Sequence, residues 1–334
     1  MSTQSRKFVN FLKRSITFLT VFVLVLAITG MVYQTAAAES DRRNFPAPGN
    51  LIDVGGFKMH IHCVGEGSPT VILETLSGGT SSYWGWVQPE AAKETRVCVY
   101  DRAGRGWSES DQEPLSLGRT VRNLHTLLMN ANVEGPFVLV GHSIGGIYMR
   151  QFAAEHPDRV VGMVLVDASH PYQYDRYPEM LDGNESYMQI AKLFPVIARL
   201  GVGHLYFALG GEMGFAEMKE PQKSELKAAW SSPEYFKSMY AEDRARIRIF
   251  ADGQKLGALG DLPLIVLTQG SDSASSGWIV LQNELAGLST NSLHISVDGA
   301  THASLAFNPD HAKAVSDAIL KVVDVIRSGK RLAE

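Results

Sequence analysis

The chain has 334 residues, a formal charge of −4 and a hydrophobic share of 45%. That suits one large domain with an inserted element and is enough to bury a sizeable core. There is no basic stripe, so no nucleic-acid partner is expected, and no internal repeat or low-complexity tract interrupts the chain.

The N-terminus reads apart from the rest. Arg6, Lys7, Lys13 and Arg14 are its charges before Glu39, and an apolar run from Ile16 to Tyr33 follows them. As a helix that run would span roughly 27 Å, close to a hydrocarbon core of roughly 30 Å. Ala36-Ala37-Ala38 also offers a small-residue cleavage site. Residues 1–38 are therefore either an uncleaved signal anchor or a cleaved signal peptide. In both cases the cations stay cytoplasmic and the body is exported, membrane-anchored in the first case and secreted or periplasmic in the second.

Residues 39–50 read as a linker. Leu51–Val54 and Phe57–Val64 flank Gly55-Gly56, a hairpin turn signal. Thr70–Glu74 reads as a buried strand, Tyr83–Ala92 as helical, Arg96–Tyr100 as a strand and Arg119–Ala131 as a helix. Phe137–Val140 and Met163–Val166 are apolar runs of buried-strand length. Leu264–Thr268 and Ser292–Val297 are later strands with a helix near Gly277–Leu288 between them. Asn308, Pro309 and Asp310 open a last helix that ends near Arg327. Strands alternating with helices imply a mostly parallel sheet covered on both faces. Between His170 and Asp261 the alternation stops, and the segment reads as helical and rich in Met, Phe and Tyr, including Met180, Met188, Met213, Phe194 and Phe215.

Gly141-His142-Ser143-Ile144-Gly145 sits between an apolar strand and a run with helical spacing. A strand-to-helix corner that tight strains the backbone. Small residues at 141 and 145 relieve the crowding, and the turn presents the Ser143 hydroxyl above the sheet at a helix N-terminus.

From about Leu51 to Arg327 the chain resembles the α/β-hydrolase family. The resemblance rests on Val71–Glu74 with Ser77-Gly78-Gly79 and Trp84, on Tyr100–Ser108, on Gly141–Gly146, and on Gly299-Ala300-Thr301-His302. It implies an α/β fold with a mostly parallel central sheet, helices on both faces and a helical cap. The core would then occupy residues 51–169 and 259–334, and the cap insertion 170–258. It also implies a triad in the order serine, acid, histidine. Ser143 is the expected nucleophile and His302 the expected base. The acid is Asp272, which follows strand Leu264–Thr268, or Asp167, which ends strand Met163–Val166. Gln269–Ser273 is not the usual form of the acid loop, so the choice stays open. The backbone N–H groups of Ile144 and Ser77 would form the oxyanion hole, although Leu76 stands where glycine is usual and could hinder the needed backbone shape.

In the family's strand order the segments carrying Cys63 and Cys98 would be neighbours, and an exported body would allow a disulfide between them. No metal is expected. His60-x-His62 supplies two imidazoles where zinc sites want more, and a solvated strand face is the plainer reading. Asp101, Arg102, Arg105 and Trp107 read as shaping a loop beside the site, His142 as turned away from the nucleophile, and His170 as a surface or linker residue. A serine nucleophile argues against the aspartate-dependent epoxide hydrolases and haloalkane dehalogenases. The resemblance thus implies a cofactor-free serine hydrolase acting on a small-molecule carboxylic ester with a small or hydrophobic group. Acyl transfer, peptidase activity or a hydrolase-like ligand sensor are the alternatives on the same fold.

Overall fold

A computed structural model describes residues 3–181, 184–212, 217–270 and 276–332. It opens with one long helix, α1 (Thr3–Asn44). The linker expected over 39–50 is therefore helical as far as Asn44. Glu39 explains this, because it pairs with Arg42 and Arg43 one turn on and supports another turn of helix.

The body follows in chain order as β1 (Asn50–Asp53), β2 (Lys58–Val64), β3 (Thr70–Glu74), α2 (Val87–Ala91), β4 (Val97–Tyr100), α3 (Leu117–Asn130), β5 (Phe137–His142), α4 (Gly145–Glu155) and β6 (Val160–Val166). Next come six helices, α5 (Gln173–Arg176), α6 (Asn184–Ala191), α7 (Phe194–Arg199), α8 (Val202–Ala208), α9 (Gln222–Trp230) and α10 (Pro233–Gly253). The chain closes with β7 (Leu264–Gln269), α11 (Ser276–Ala286), β8 (Ser292–Val297), α12 (Ser304–Phe307) and α13 (Pro309–Ser328). The helical insertion between β6 and β7 is the cap that the resemblance implies. Met213 and Phe215, expected within it, lie outside the described residues.

The strands form one sheet in the order β1-β2-β4-β3-β5-β6-β7-β8. β1–β2 and β2–β4 are antiparallel, and every later pair is parallel. The β1–β2 turn follows from its residues: Asp53 Oδ1 accepts from the N–H groups of Gly55 and Gly56, both at positive φ. Period-two alternation sends Leu139 and Leu165 to one face, against Leu124 of α3 and Phe152 of α4. Val138, Val140 and Val164 go to the other, against Val315 and Ile319 of α13. Both faces are covered, so the central strands are apolar except at their ends.

Asn308 Oδ1 caps α13 by accepting from Asp310 and His311 N–H, and Ser232 Oγ caps α10 by accepting from Tyr235 N–H. Cys63 and Cys98 face one another across the β2–β4 pair and are joined as a disulfide.

The last turns of α1 lie against the insertion. Gln34 is buried; its Nε2 donates to Ser231 O at 3.1 Å, and its Oε1 is 2.8 Å from His204 Nδ1. His204 Nε2 lies 2.7 Å from Asp41 Oδ2. Farther toward the N-terminus, α1 exposes its apolar side chains, and its length and composition are sufficient to cross a membrane.

Candidate active site

The corner between β5 and α4 brings Ser143 above the sheet. Ser143 has φ +56°, a left-handed conformation that L-residues rarely hold. Its peptide is locked on both sides: Ser143 N–H donates to Val166 O at 3.1 Å, and Ser143 O accepts from Ser169 N–H at 2.9 Å. The glycines around it are required by contact. A Cβ on Gly141 would lie 2.7 Å from the Gly145 carbonyl, one on Gly145 2.8 Å from Thr75 O, and one on Gly146 2.6 Å from the Ala168 Cβ. The turn therefore needs a third small residue, Gly146, beyond the two expected.

Asp167 follows the last residue of β6, next to β5 in the sheet, and is fully buried. Its Oδ2 accepts from His302 Nδ1 at 2.5 Å. Its Oδ1 accepts from Trp278 Nε1 at 2.8 Å and Gln269 N–H at 3.1 Å. Burial alone would raise this carboxyl, but His302 and the two N–H donors outweigh it and hold Asp167 below the usual carboxylate range. His302 comes from the loop after β8, with 39% of its side chain exposed. Among the described residues Ser143 Oγ makes no hydrogen bond; such contacts often tighten only when substrate binds. The structure thus brings His302 together with Asp167. Asp272, the other acid considered, lies outside the described residues.

Ile144 opens α4, and its N–H, like that of Ser77, has no acceptor among the described residues. Leu76 is not in the left-handed region, so its side chain does not prevent the loop from forming. Arg102 sets the direction of that loop. Its two terminal nitrogens donate to Thr75 O at 3.1 Å and Leu76 O at 2.9 Å. A trans peptide points its N–H opposite its C=O, so holding Leu76 O aims the Ser77 N–H away from Arg102.

Arg102 belongs to a buried charge network that sequence reasoning missed. It pairs with Glu74 and, at 3.0 Å, with Glu242 of α10. Glu242 also receives Arg105 at 3.1 Å, the Tyr148 hydroxyl at 3.0 Å and the Ser77 hydroxyl at 2.8 Å. Burial drives the Glu74 carboxyl up. It acts on Glu242 too, but two guanidiniums overcome it there and hold that carboxyl at about 2. Two cations thus meet two anions without solvent, and a cap helix is tied to the loop that carries Ser77.

Three further histidines are buried. The His142 ring lies 4.8 Å from that of His302, and its Nε2 donates to His302 O at 2.9 Å. Burial, with the nearby His302, lowers it to about 3 and keeps it neutral. His60 is not on a solvated face; it is buried between Asp101 and Pro48 O, because β2 is an interior strand. His170 is also buried, with Nε2 3.4 Å from Glu284. Asp101 holds His60, Ser81 N–H and Trp107 N–H, the loop-shaping part expected of it. Among the described residues no group of three His, Cys, Asp or Glu side chains is arranged to hold a metal.

A cavity of about 290 Å³ opens between the loop after β4, α3 and α10. It shares Arg102, Arg105 and Glu242 with the network but contains none of Ser143, His302 and Asp167. The chemistry-bearing groups, rather than this cavity, therefore define the candidate site.

The uncharacterized protein YbdG of Bacillus subtilis is 22% identical over 91% of this chain and 95% of its own length. An uncharacterized protein of Schizosaccharomyces pombe is 37% identical over 40% of this chain, which covers about a quarter (24%) of that relative's length. Among solved structures, a serine hydrolase involved in carbazole degradation superposes with a TM-score of 0.58 at 19% identity, over 83% of this chain and 98% of its own. That likeness is one of fold. The alpha/beta hydrolase family model matches residues 62–318, which include Ser143, Asp167 and His302 together with every strand from β3 to β8. A family match of that extent, on a sheet of this order with a strained serine at its strand-to-helix corner, makes the chain a member of the alpha/beta hydrolase family.

Proposed function

We propose that this chain is a serine hydrolase that cleaves carboxylic esters through Ser143, His302 and Asp167. The hydrogen bond from His302 Nδ1 to buried Asp167, beside the strained Ser143, is the observation that carries this reading. Asp167 fixes the tautomer that leaves Nε2 lone-paired and stabilises the imidazolium without taking the proton. Ser143 Oγ attacks the ester carbonyl carbon while Nε2 takes its proton. The tetrahedral oxyanion meets the N–H groups of Ile144 and Ser77 and the N-terminus of α4; losing one such donor typically costs about 10²–10³ in kcat. The intermediate collapses, and the imidazolium returns the proton to the departing alkoxide, which leaves as the alcohol. Water, deprotonated by His302, then cleaves the acyl-enzyme to the acid and restores the Ser143 hydroxyl. No step uses a cofactor. Leu76, next to Ser77, and the apolar composition of the insertion favour an ester with a hydrophobic group.

We propose, separately, that α1 is an uncleaved anchor that holds the body on the exported side. Gln34 and Tyr33 precede the Ala36–Ala38 site, yet they are packed into the insertion, so cleavage there would strip contacts from the folded body.

A fluorophosphonate probe and short p-nitrophenyl esters test the chemistry on the full chain, with Ser143→Ala and His302→Ala beside it. Labelling of Ser143 and ester turnover abolished in both variants is the expected result. A folded protein that neither labels nor turns over would move the ligand-sensor reading to the front.

A further inference from the structure

The insertion carries an apolar face that the body does not cover. Leu193, Val196, Leu200, Val202, Leu205 and Leu209 are exposed by 50%, 59%, 37%, 46%, 51% and 79%. They lie on and around two short helices, α7 and α8, and an apolar patch of that extent marks a contact surface. No acidic residue occurs between Glu185 and Glu212; the charged side chains in that span are Lys192 and Arg199, both exposed.

This face sits where α1 leaves the body. A Cβ on Gly30 would lie 2.5 Å from Leu200 O, and one on Gly201 2.7 Å from the Tyr33 ring, so the α7–α8 corner touches α1 between residues 30 and 33. At about 1.5 Å per residue, that contact lies within roughly 5 Å of the end of the apolar run at Tyr33, and about 13 Å before the first charge, Glu39. A bilayer spanned by residues 16–33 therefore has its surface at the level of Leu200. Apolar side chains at that depth beside Tyr33 and Tyr206, in a segment whose own charges are lysine and arginine, match an interfacial membrane segment.

We infer that α7 and α8 are seated in the headgroup–acyl boundary of the membrane that α1 spans, so that the cap is itself a membrane-embedded element. The occupant is lipid rather than a second copy of the chain, because the exposed face of the insertion continues directly into the exposed face of α1. The inference rests on the membrane-spanning reading of α1 and not on the ester chemistry.

Both native cysteines are bonded, so single cysteines can be placed in the full chain and labelled with an environment-sensitive fluorophore. Labels go to V196C and L205C, with L24C in α1 and M129C on α3 as references. The protein is held in vesicles of phosphatidylcholine and phosphatidylglycerol, and each labelled variant must retain the parent far-ultraviolet spectrum. Lipid-borne nitroxide is expected to quench positions 196 and 205 several-fold more than position 129, and aqueous iodide less. If position 24 is quenched by nitroxide while 196 and 205 behave like 129, the inference is overturned and the anchor stands. If position 24 also behaves like 129, the spanning reading fails and takes the inference with it. If 196 and 205 are shielded from both quenchers, a protein surface covers them and lipid does not.

Discussion

The strand-end site and the helical insertion solve the burial of side chains in opposite ways. At the strand ends the buried carboxylates are fully partnered. Asp167 has three donors, Glu242 has four partners, and the glycines of the corner leave no room for a methyl. Across α7 and α8 large apolar side chains stand in the open, and the helices have six and seven residues. Helices that short hold their shape through tertiary contact rather than propensity. The site is built to keep charges in one arrangement, whereas the insertion relies on what lies beside it: α10 on one side and α1 on another.

The most severe test falls on the rigid side. Asp167→Asn should lower kcat for a p-nitrophenyl ester by about 10⁴, because the wrong tautomer of His302 is then held. Asp272→Asn should change it little, and the reverse result would move the acid to Asp272. Glu242→Gln should cost roughly 3–5 kcal/mol, read as a drop in urea midpoint, since it leaves two buried guanidiniums short of a carboxylate. In contrast, Val196→Ser should stay within about 0.5 kcal/mol in detergent, where its face is covered in any case. Equal costs at the two positions would erase the contrast.

Acid should weaken the site in two stages. His142 is held at about 3, below its unfolded value of 6.5, so the unfolded chain binds a proton that the folded chain refuses. Its contribution is complete above pH 6.5 and falls away as the pH drops toward 3. Glu242, held at about 2, adds a contribution that is complete above 4.5 and lost as the pH falls toward 2. Thermal midpoints against pH should flatten between 6.5 and 3 in His142→Asn. A slope left unchanged would place the acid sensitivity elsewhere. A modest effect is expected on the docking of α1: Gln34→Ala should cost about 1 kcal/mol for the lost hydrogen bonds, seen as faster proteolysis between Ala36 and Asn44.

What could be read from the chain follows the same division. The corner at Ser143 was legible because only small residues satisfy so tight a turn, and the buried strands because apolar runs of four to six residues end at turn residues. Asp167 could not be separated from Asp272, since each follows a strand and the choice depends on where His302 comes to rest. Glu242 looks like any solvated acid in the middle of a helix, and only packing reveals that it meets Arg102 and Arg105. Glu74 did leave a signal: a carboxylate closing the buried strand Thr70–Glu74 needs a cation, and Arg102 in the neighbouring loop was the nearest candidate. His60 was misread because a histidine in an interior strand has the same letter as one on a surface.

The unbroken course of α1 has a mechanical consequence. On the proposed membrane-spanning reading of α1, a flexible tether would let the body roam over a broad volume, but a helix continuous from Tyr33 to Asn44 is a stilt of fixed height, roughly 16 Å at about 1.5 Å per residue. With Gln34 at its foot and Asp41 near its top both engaged on His204, the stilt cannot pivot against the insertion without breaking those bonds. The reach of Ser143 is then set by the geometry of one rod, and a molecule is within range only if it comes to that height.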